Sequence, residues 1–221
     1  MRALVYDRYG GPEVVHLQEV PEPVPGDHEI LVRVRAAAVT SADKAARSGR
    51  PFFARMAFGL IGPKHRILGS ELAGEVASVG RGVTRFKEGD NVFGATGDDF
   101  GAHADYICLP EDAALARMPV NLSHAQAVAV SEGGLTALPF LRDWGELREG
   151  QVVLVNGASG AVGSSSVQIA RHLGGRVTGV CSTAKVELVG ALGAHAVVDY
   201  TREDFTRRGE TYDLIFDAVG K

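Results

Sequence analysis

The sequence has 221 residues, 45% of them hydrophobic and 23% charged, the make-up of a folded chain with room for one large or two modest domains. A net charge of −4 gives no electrostatic footprint for nucleic acid or for an acidic membrane surface. The two cysteines, Cys108 and Cys181, lie far apart and form no C-x-x-C pair, which leaves no disulfide framework or cysteine-rich zinc lobe and fits a reducing, cytoplasmic setting.

The chain opens on a strand-like run, Ala3–Tyr6, with no basic-then-apolar leader pattern. Glu29–Ala36 alternates, setting Ile30, Val32, Val34 and Ala36 against Glu29, Leu31, Arg33 and Arg35, the period of a half-buried strand. The apolar patch from Pro51 to Gly62 is broken by Arg55 and is too short to span a bilayer. Short strands are expected at Gly74–Val79, Asn91–Phe93 and His103–Leu109, separated by turns such as Glu88-Gly89-Asp90. Many strands and few helices up to about Pro119 point to a small twisted barrel or sandwich.

After Asn121-Leu122-Ser123 the texture changes. Ser123 is placed to cap a helix running to about Leu141. Strands and helices then alternate: Val152–Asn156, a helix over 161–173, Arg176–Val180, a helix over 184–192, Ala196–Asp199, a short helix near 202–207, and Asp213–Asp217. Continuous apolar strands between helices predict a parallel sheet covered on both faces. The domains are therefore expected at 1–122 and 123–221.

Val152–Asn156 runs straight into Gly157-Ala158-Ser159-Gly160-Ala161-Val162-Gly163 and a long helix. Ala158, Gly160 and Gly163 form A-x-G-x-x-G, a variant of the dinucleotide glycine pattern. Gly160 would let backbone N–H groups approach a pyrophosphate, and Gly163 would let helix and strand pack closely. The helix start adds partial positive charge to that anion. An NAD site carries an acid about 20 residues further on. Here the second strand ends in Cys181-Ser182-Thr183, with Lys185 beyond and no carboxylate. That set favours the 2′-phosphate of NADPH, with Ser182 and Lys185 as partners; Lys185 reads otherwise as a solvated helix-start lysine.

Three stretches, 152–171 (VVLVNGASGAVGSSSVQIAR), 177–205 (VTGVCSTAKVELVGALGAHAVVDYTREDF) and 67–93 (ILGSELAGEVASVGRGVTRFKEGDNVF), resemble the medium-chain dehydrogenase/reductase superfamily, in its quinone-oxidoreductase-like branch. The resemblance implies a GroES-like β-barrel domain followed by an α/β Rossmann domain, here the first half of its parallel sheet. It also implies homodimers for the full-length form, built through the region that would follow. It places Thr136 near the nicotinamide end of the cofactor and Tyr200 near the 2′-phosphate; an ordinary helix position and strand-end packing are the alternatives. It places Thr40 and Asp43 in an active-site loop, where Thr40 stands for the usual Asn and Ala45 for a Tyr found in some members. Zinc-dependent relatives carry Cys at the position of Thr40 and His at Ser70, so hydroxyls replace the ligands and no metal is expected. Asp43 reads as a structural acceptor more readily than as a base. The seven histidines show no ligand spacing, and His65, His103, His172 and His195 read as core or surface residues.

Without a Lewis acid, an unactivated carbonyl or alcohol is a poor substrate. The implied activity is hydride delivery from NADPH to a small apolar quinone or α,β-unsaturated carbonyl. Three other readings remain: a non-catalytic NADPH-binding sensor or inactive fragment, an enoyl-reductase unit of a larger synthase, and a relative of the zinc alcohol dehydrogenases. Residues 51–61 read either as an apolar flap over the substrate or as a helix packed on the barrel.

Overall fold

The computed structural model describes Met1–Gly220, the side chain of Ala54 excepted; Lys221, the last residue of the expected second domain, lies outside the described residues. The contacts divide the chain into two units, Met1–Ser131 and the residues from Glu132 onward.

The first unit contains β1 (Arg2–Val5), β2 (His16–Glu19), β3 (Glu29–Ala37), α1 (Ser41–Ser48), α2 (Arg55–Phe58), β4 (Glu71–Val79), β5 (Asn91–Ala95), β6 (Tyr106–Pro110), β7 (Leu115–Arg117) and α3 (His124–Ala129). Five strands form an antiparallel sheet in the order β6-β3-β4-β5-β7, and β1 pairs with β2. Single bridges, Ala3 to Ala104 and Val5 to Ile67, tie β1 to neighbouring segments. The core is the inward set of the sheet, Ile30, Val32, Leu72, Val76, Val92, Ile107 and Leu109, closed by Phe86 and Leu115. Leu31, set by alternation on the outer face, is buried too, next to a register shift between Leu31 and Val32 that breaks the two-residue period.

Ser123 caps α3 as expected, in a capping box with Gln126. The single helix to Leu141 does not form. The chain turns at Val130 and restarts as α4 (Ser131–Pro139), followed by a π-helical turn at Phe140–Trp144. The Ser131 hydroxyl donates to the Ala127 carbonyl, competing with the helical ladder, and Gly133 and Gly134 follow at once. Ala127 and Val128 pack with Ala73, so α3 lies with the first unit.

The second unit adds β8 (Val152–Asn156), α5 (Ala161–His172), β9 (Arg176–Cys181), α6 (Val186–Ala191), β10 (Ala196–Asp199) and β11 (Leu214–Asp217). All pairings are parallel and the order is β10-β9-β8-β11, the third, second, first and fourth strands of a doubly wound sheet. Val153, Val155 and Val177 face one core with Val167 and Ala170 of α5; Leu154, Val180 and Val198 face the other. Burial on both faces is why these strands read as unbroken apolar runs. The helix expected near 202–207 shrinks to one 3₁₀ turn, Phe205–Arg207, because Asp204 accepts from the Thr206 N–H and fixes a cap there. No helix among the described residues is long and apolar enough to cross a membrane.

Candidate functional site

The loop after β8 is built around small residues. Gly157 has φ +78°, and a Cβ there would press on Val219 Cγ2 at 2.7 Å. The N–H groups of Gly157 and Ala158 donate to the Val180 carbonyl at 3.1 and 2.9 Å, fastening the loop to the end of β9. Ala158 is fully buried, Ser159 is half-buried and Gly160 is exposed. A Cβ on Gly163 would overlap the Gly157 carbonyl oxygen, so helix and loop touch backbone to backbone there. Gly160 differs: its φ is −77° and the nearest atom to an added Cβ is 3.5 Å away. The protein's own packing does not require glycine at 160.

Gly160 is also the N-cap of α5, and no side chain among the described residues caps that helix, whereas α1 and α3 both carry capping boxes. The first-turn N–H groups of Ala161, Val162 and Gly163 therefore receive no side-chain acceptor, and the helix dipole adds to them. A bare helix start beside a glycine whose Cβ the protein itself could accommodate without a clash fits a pyrophosphate. Thr136, half-buried, lies one turn beyond Gly133 on α4. A Cβ at Gly133 would meet Ser165 Oγ at 2.5 Å and the Ala161 carbonyl oxygen at 2.8 Å, so this helix packs against the start of α5.

Ser182, Lys185 and Tyr200 lie in the two loops that follow β9 and β10. The parallel register pairs Cys181 with Asp199, and the Tyr200 N–H donates to the Cys181 carbonyl at 3.1 Å. Tyr200 and Lys185 are exposed and Ser182 is half-buried. The same register brings in residues that the strand end at Cys181 did not reveal. The Thr183 hydroxyl donates to Asp199 Oδ2 at 2.5 Å and lies 2.8 Å from the Thr201 hydroxyl. Thr201 donates to Asp199 Oδ1 through its N–H at 3.0 Å and its hydroxyl at 2.7 Å, and Arg202 stands 3.4 Å from Oδ2. Hydrogen bonds from Thr183 and Thr201, with the Arg202 charge behind them, hold this carboxyl below the usual range. A carboxylate therefore stands beside the expected phosphate position, with its oxygens already occupied. The signal for it was the parallel pattern itself, which sets successive strand ends side by side.

In the first unit Thr40 and Asp43 meet as the capping box of α1. Asp43 is buried; its Oδ2 accepts the Thr40 N–H at 2.7 Å and the Thr40 hydroxyl at 3.0 Å, and its Oδ1 accepts the Gly69 N–H at 2.8 Å. Ser70 Oγ lies 3.4 Å from Thr40 Oγ1. The fold thus brings together the two hydroxyls at the positions of zinc ligands in relatives, and the Thr40 proton is directed at Asp43. Neutral hydroxyls do not fit a zinc ion, and no group of three His, Cys, Asp or Glu among the described residues is placed to hold a metal. Glu71, buried at the start of β4, follows Ser70. His103 is hydrogen-bonded through Nε2 to the Ala38 carbonyl at 2.8 Å and braces the approach to this loop. Beneath it Tyr6 is almost fully buried with Val14, Ala46 and Leu68, and burial, with Tyr9 and Asp43 close by, pushes its phenol up to about 12.

Residues 52–58 form a 3₁₀ turn and α2. Phe58 packs edge-on against Phe100 at 5.7 Å, whereas Phe52, Phe53, Met56, Leu60 and Ile61 stay exposed within the first unit.

Residues 26–139 match the family model described as alcohol dehydrogenase GroES-like domain, and 161–221 match the one described as zinc-binding dehydrogenase. The chain belongs to the medium-chain dehydrogenase/reductase superfamily. Within that superfamily it is 37% identical to a quinone oxidoreductase of Pseudomonas aeruginosa, over all of this chain and 67% of the relative. It is 35% identical to a chloroplastic NADPH-dependent alkenal/one oxidoreductase of Arabidopsis thaliana, over all of this chain and 58% of the relative. The solved quinone oxidoreductase of Coxiella burnetii superposes with a TM-score of 0.89 at 32% identity, covering all of this chain and 69% of that one. The superfamily placement fits a GroES-like domain followed by strands in Rossmann order, and the resemblance falls in its quinone-oxidoreductase-like branch. This chain spans just over half to about two thirds of the lengths of these relatives.

Proposed function

We propose that this chain carries the acceptor-binding and nucleotide-binding parts of a metal-independent, NADPH-dependent reductase of quinones or α,β-unsaturated carbonyls. The observation that carries the reading is the hydroxyl pair Thr40 and Ser70, 3.4 Å apart, where a metal-dependent dehydrogenase needs ligands. With no Lewis acid, an acceptor that delocalises its own developing charge is the one that reacts. When bound, NADPH supplies a hydride.

The chain's own residues do the rest. The bare start of α5 and Gly160 hold the pyrophosphate, while Ser182, Lys185 and Tyr200 receive the 2′-phosphate, with Asp199 kept from repelling it by Thr183, Thr201 and Arg202. Thr136 contacts the nicotinamide end. Thr40 and Asp43 fix the loop at the head of α1, and water protonates the reduced acceptor, because the Thr40 proton is already given to Asp43. Relatives named for quinone and alkenal/one reduction, one of them NADPH-dependent by name, support this reading. The commitment of the Thr40 proton also favours a second reading, a chain that binds NADPH without turnover.

One experiment separates them. Purified protein is assayed with NADPH against a quinone, an enone and a primary alcohol, alongside metal analysis and titrations of NADPH and NADH. The expected result is reduction of the quinone or enone, negligible alcohol oxidation, no stoichiometric zinc and tighter NADPH binding. Lys185→Glu is expected to erase the cofactor preference. Efficient alcohol oxidation with one zinc per chain would overturn the proposal, and silence with all three acceptors despite NADPH binding would favour the second reading.

A further inference from the structure

A hollow beside α1 is walled by four cations. Lys44 and Arg47 come from the helix, Arg50 from the turn after it and Arg55 from α2, with Tyr9 and Ala45 also lining it. No carboxylate lines this hollow among the described residues. Glu13, on the adjacent 3₁₀ turn, accepts the Gly11 N–H, and Asp43 is buried with its oxygens on Thr40 and Gly69. Elsewhere in the same unit Arg2, Arg35, Arg66, Arg81 and Arg117 each have a carboxylate partner. None of the four cations here forms an ion pair among the described residues.

Arg55 is fixed in place. Its guanidinium stacks over Tyr9 at 4.6 Å and Phe52 at 5.6 Å, a Cβ on Gly49 would press on its Nε at 2.7 Å, and that buried Nε has no hydrogen-bond partner among the described residues. Arg47 uses one nitrogen on the Gly10 carbonyl and keeps the others. Four like charges around one concavity, in a chain of net charge −4, repel one another unless an anion sits among them. The helix that supplies two of them begins at Thr40, the residue of the acceptor loop.

We propose that this hollow binds an anionic oxygen group, a carboxylate or a phosphate, carried by the acceptor, so that the preferred substrate is a negatively charged enone or quinone. The proposal rests on the reading of the Thr40 loop as the acceptor region. Guanidinium groups pair with such oxygens in a fork, and the Lys44 ammonium adds a point charge. The small side chain of Ala45 leaves the floor open.

The test compares β-acetylacrylate with its methyl ester, two probes with the same enone and different charge, by calorimetric titration of the whole chain. The acid is expected to bind about tenfold more tightly than the ester, a preference that shrinks with added salt. In the double variant Lys44→Gln, Arg50→Gln, whose side chains are exposed, the acid is expected to fall to the level of the ester, with the circular dichroism and NADPH affinity unchanged. Equal binding of the two probes, or no binding of the acid, overturns the proposal. So does a double variant that loses NADPH and keeps the acid, since the hollow would then serve the cofactor's phosphates. Turnover is read separately: a charge preference in binding with no NADPH-dependent reduction sinks the reductase reading alone, and reduction of both probes with equal binding sinks the anion site alone.

Discussion

Two glycines three residues apart, Gly160 and Gly163, answer to different demands, and substitution separates them. A Cβ at 163 collides with the Gly157 carbonyl, so Gly163→Ala is expected to cost about 1–3 kcal/mol as an overpacked contact, read by denaturant unfolding. A Cβ at 160 meets only the Gly157 carbonyl oxygen, at an unstrained 3.5 Å, so Gly160→Ala is expected to cost at most about 1 kcal/mol, the loss of a fair N-cap residue, while NADPH binding falls by tenfold or more. Unchanged NADPH affinity in Gly160→Ala would remove the pyrophosphate from this turn. Tyr6 supplies a pH marker. Its phenol is raised from 10 to about 12 in the folded chain, so the folded state holds that proton more tightly than the unfolded one. Its contribution to stability is complete below pH 10 and is lost as the pH rises from 10 towards 12. Tyr6→Phe is expected to remove that part of the alkaline loss, measured as unfolding midpoints against pH. The glycine turn was legible because its spacing is local. The Asp199 cluster was not, because Thr183 and Asp199 are 16 residues apart and meet only through strand register. The cationic hollow was hidden for a related reason: Lys44 and Arg47 look like ordinary surface charges on a helix until Arg50 and Arg55 are folded beside them.

Among the elements, β8 and β10 were readable to the residue, since each is a short apolar run bounded by polar ends. β2 gave no signal, because His16, Leu17, Gln18 and Glu19 are all exposed, and β7 is three residues long. The break between α3 and α4 was hidden because Ala125, Ala127 and Ala129 before Ser131, and Leu135, Ala137 and Leu138 beyond the two glycines, read as one continuing helical pattern. At that break the two elements part company, α3 with the first unit and α4 with α5. The contact of α4 with α5 is made through a glycine, so Gly133→Val is expected to push the helices apart and cost about 1–3 kcal/mol. NADPH binding should weaken with it, since Thr136 and the start of α5 move relative to one another. A variant as stable as the parent, with parent-like NADPH affinity, would show that the close approach carries no weight.

At the scale of the molecule, each unit has its own apolar core, one inside the antiparallel sheet and one on each face of the parallel sheet. The single tryptophan, Trp144, belongs to the second unit and stacks edge-on with Phe140 at 4.6 Å. Tryptophan fluorescence therefore follows the second unit alone, whereas far-ultraviolet circular dichroism follows both. The two signals are expected to give unfolding curves that do not coincide; superimposable curves would show that the units unfold as one cooperative body. The parallel order of β8 to β11 has a consequence for how such a protein changes over time. Every strand ends at the same rim of the sheet, so the turns after Asn156, Cys181, Asp199 and Asp217 sit together while the apolar stretches before them stay out of reach. Mutations that retune which nucleotide is accepted can accumulate along that rim, a residue at a time, without renegotiating the stability of the scaffold beneath.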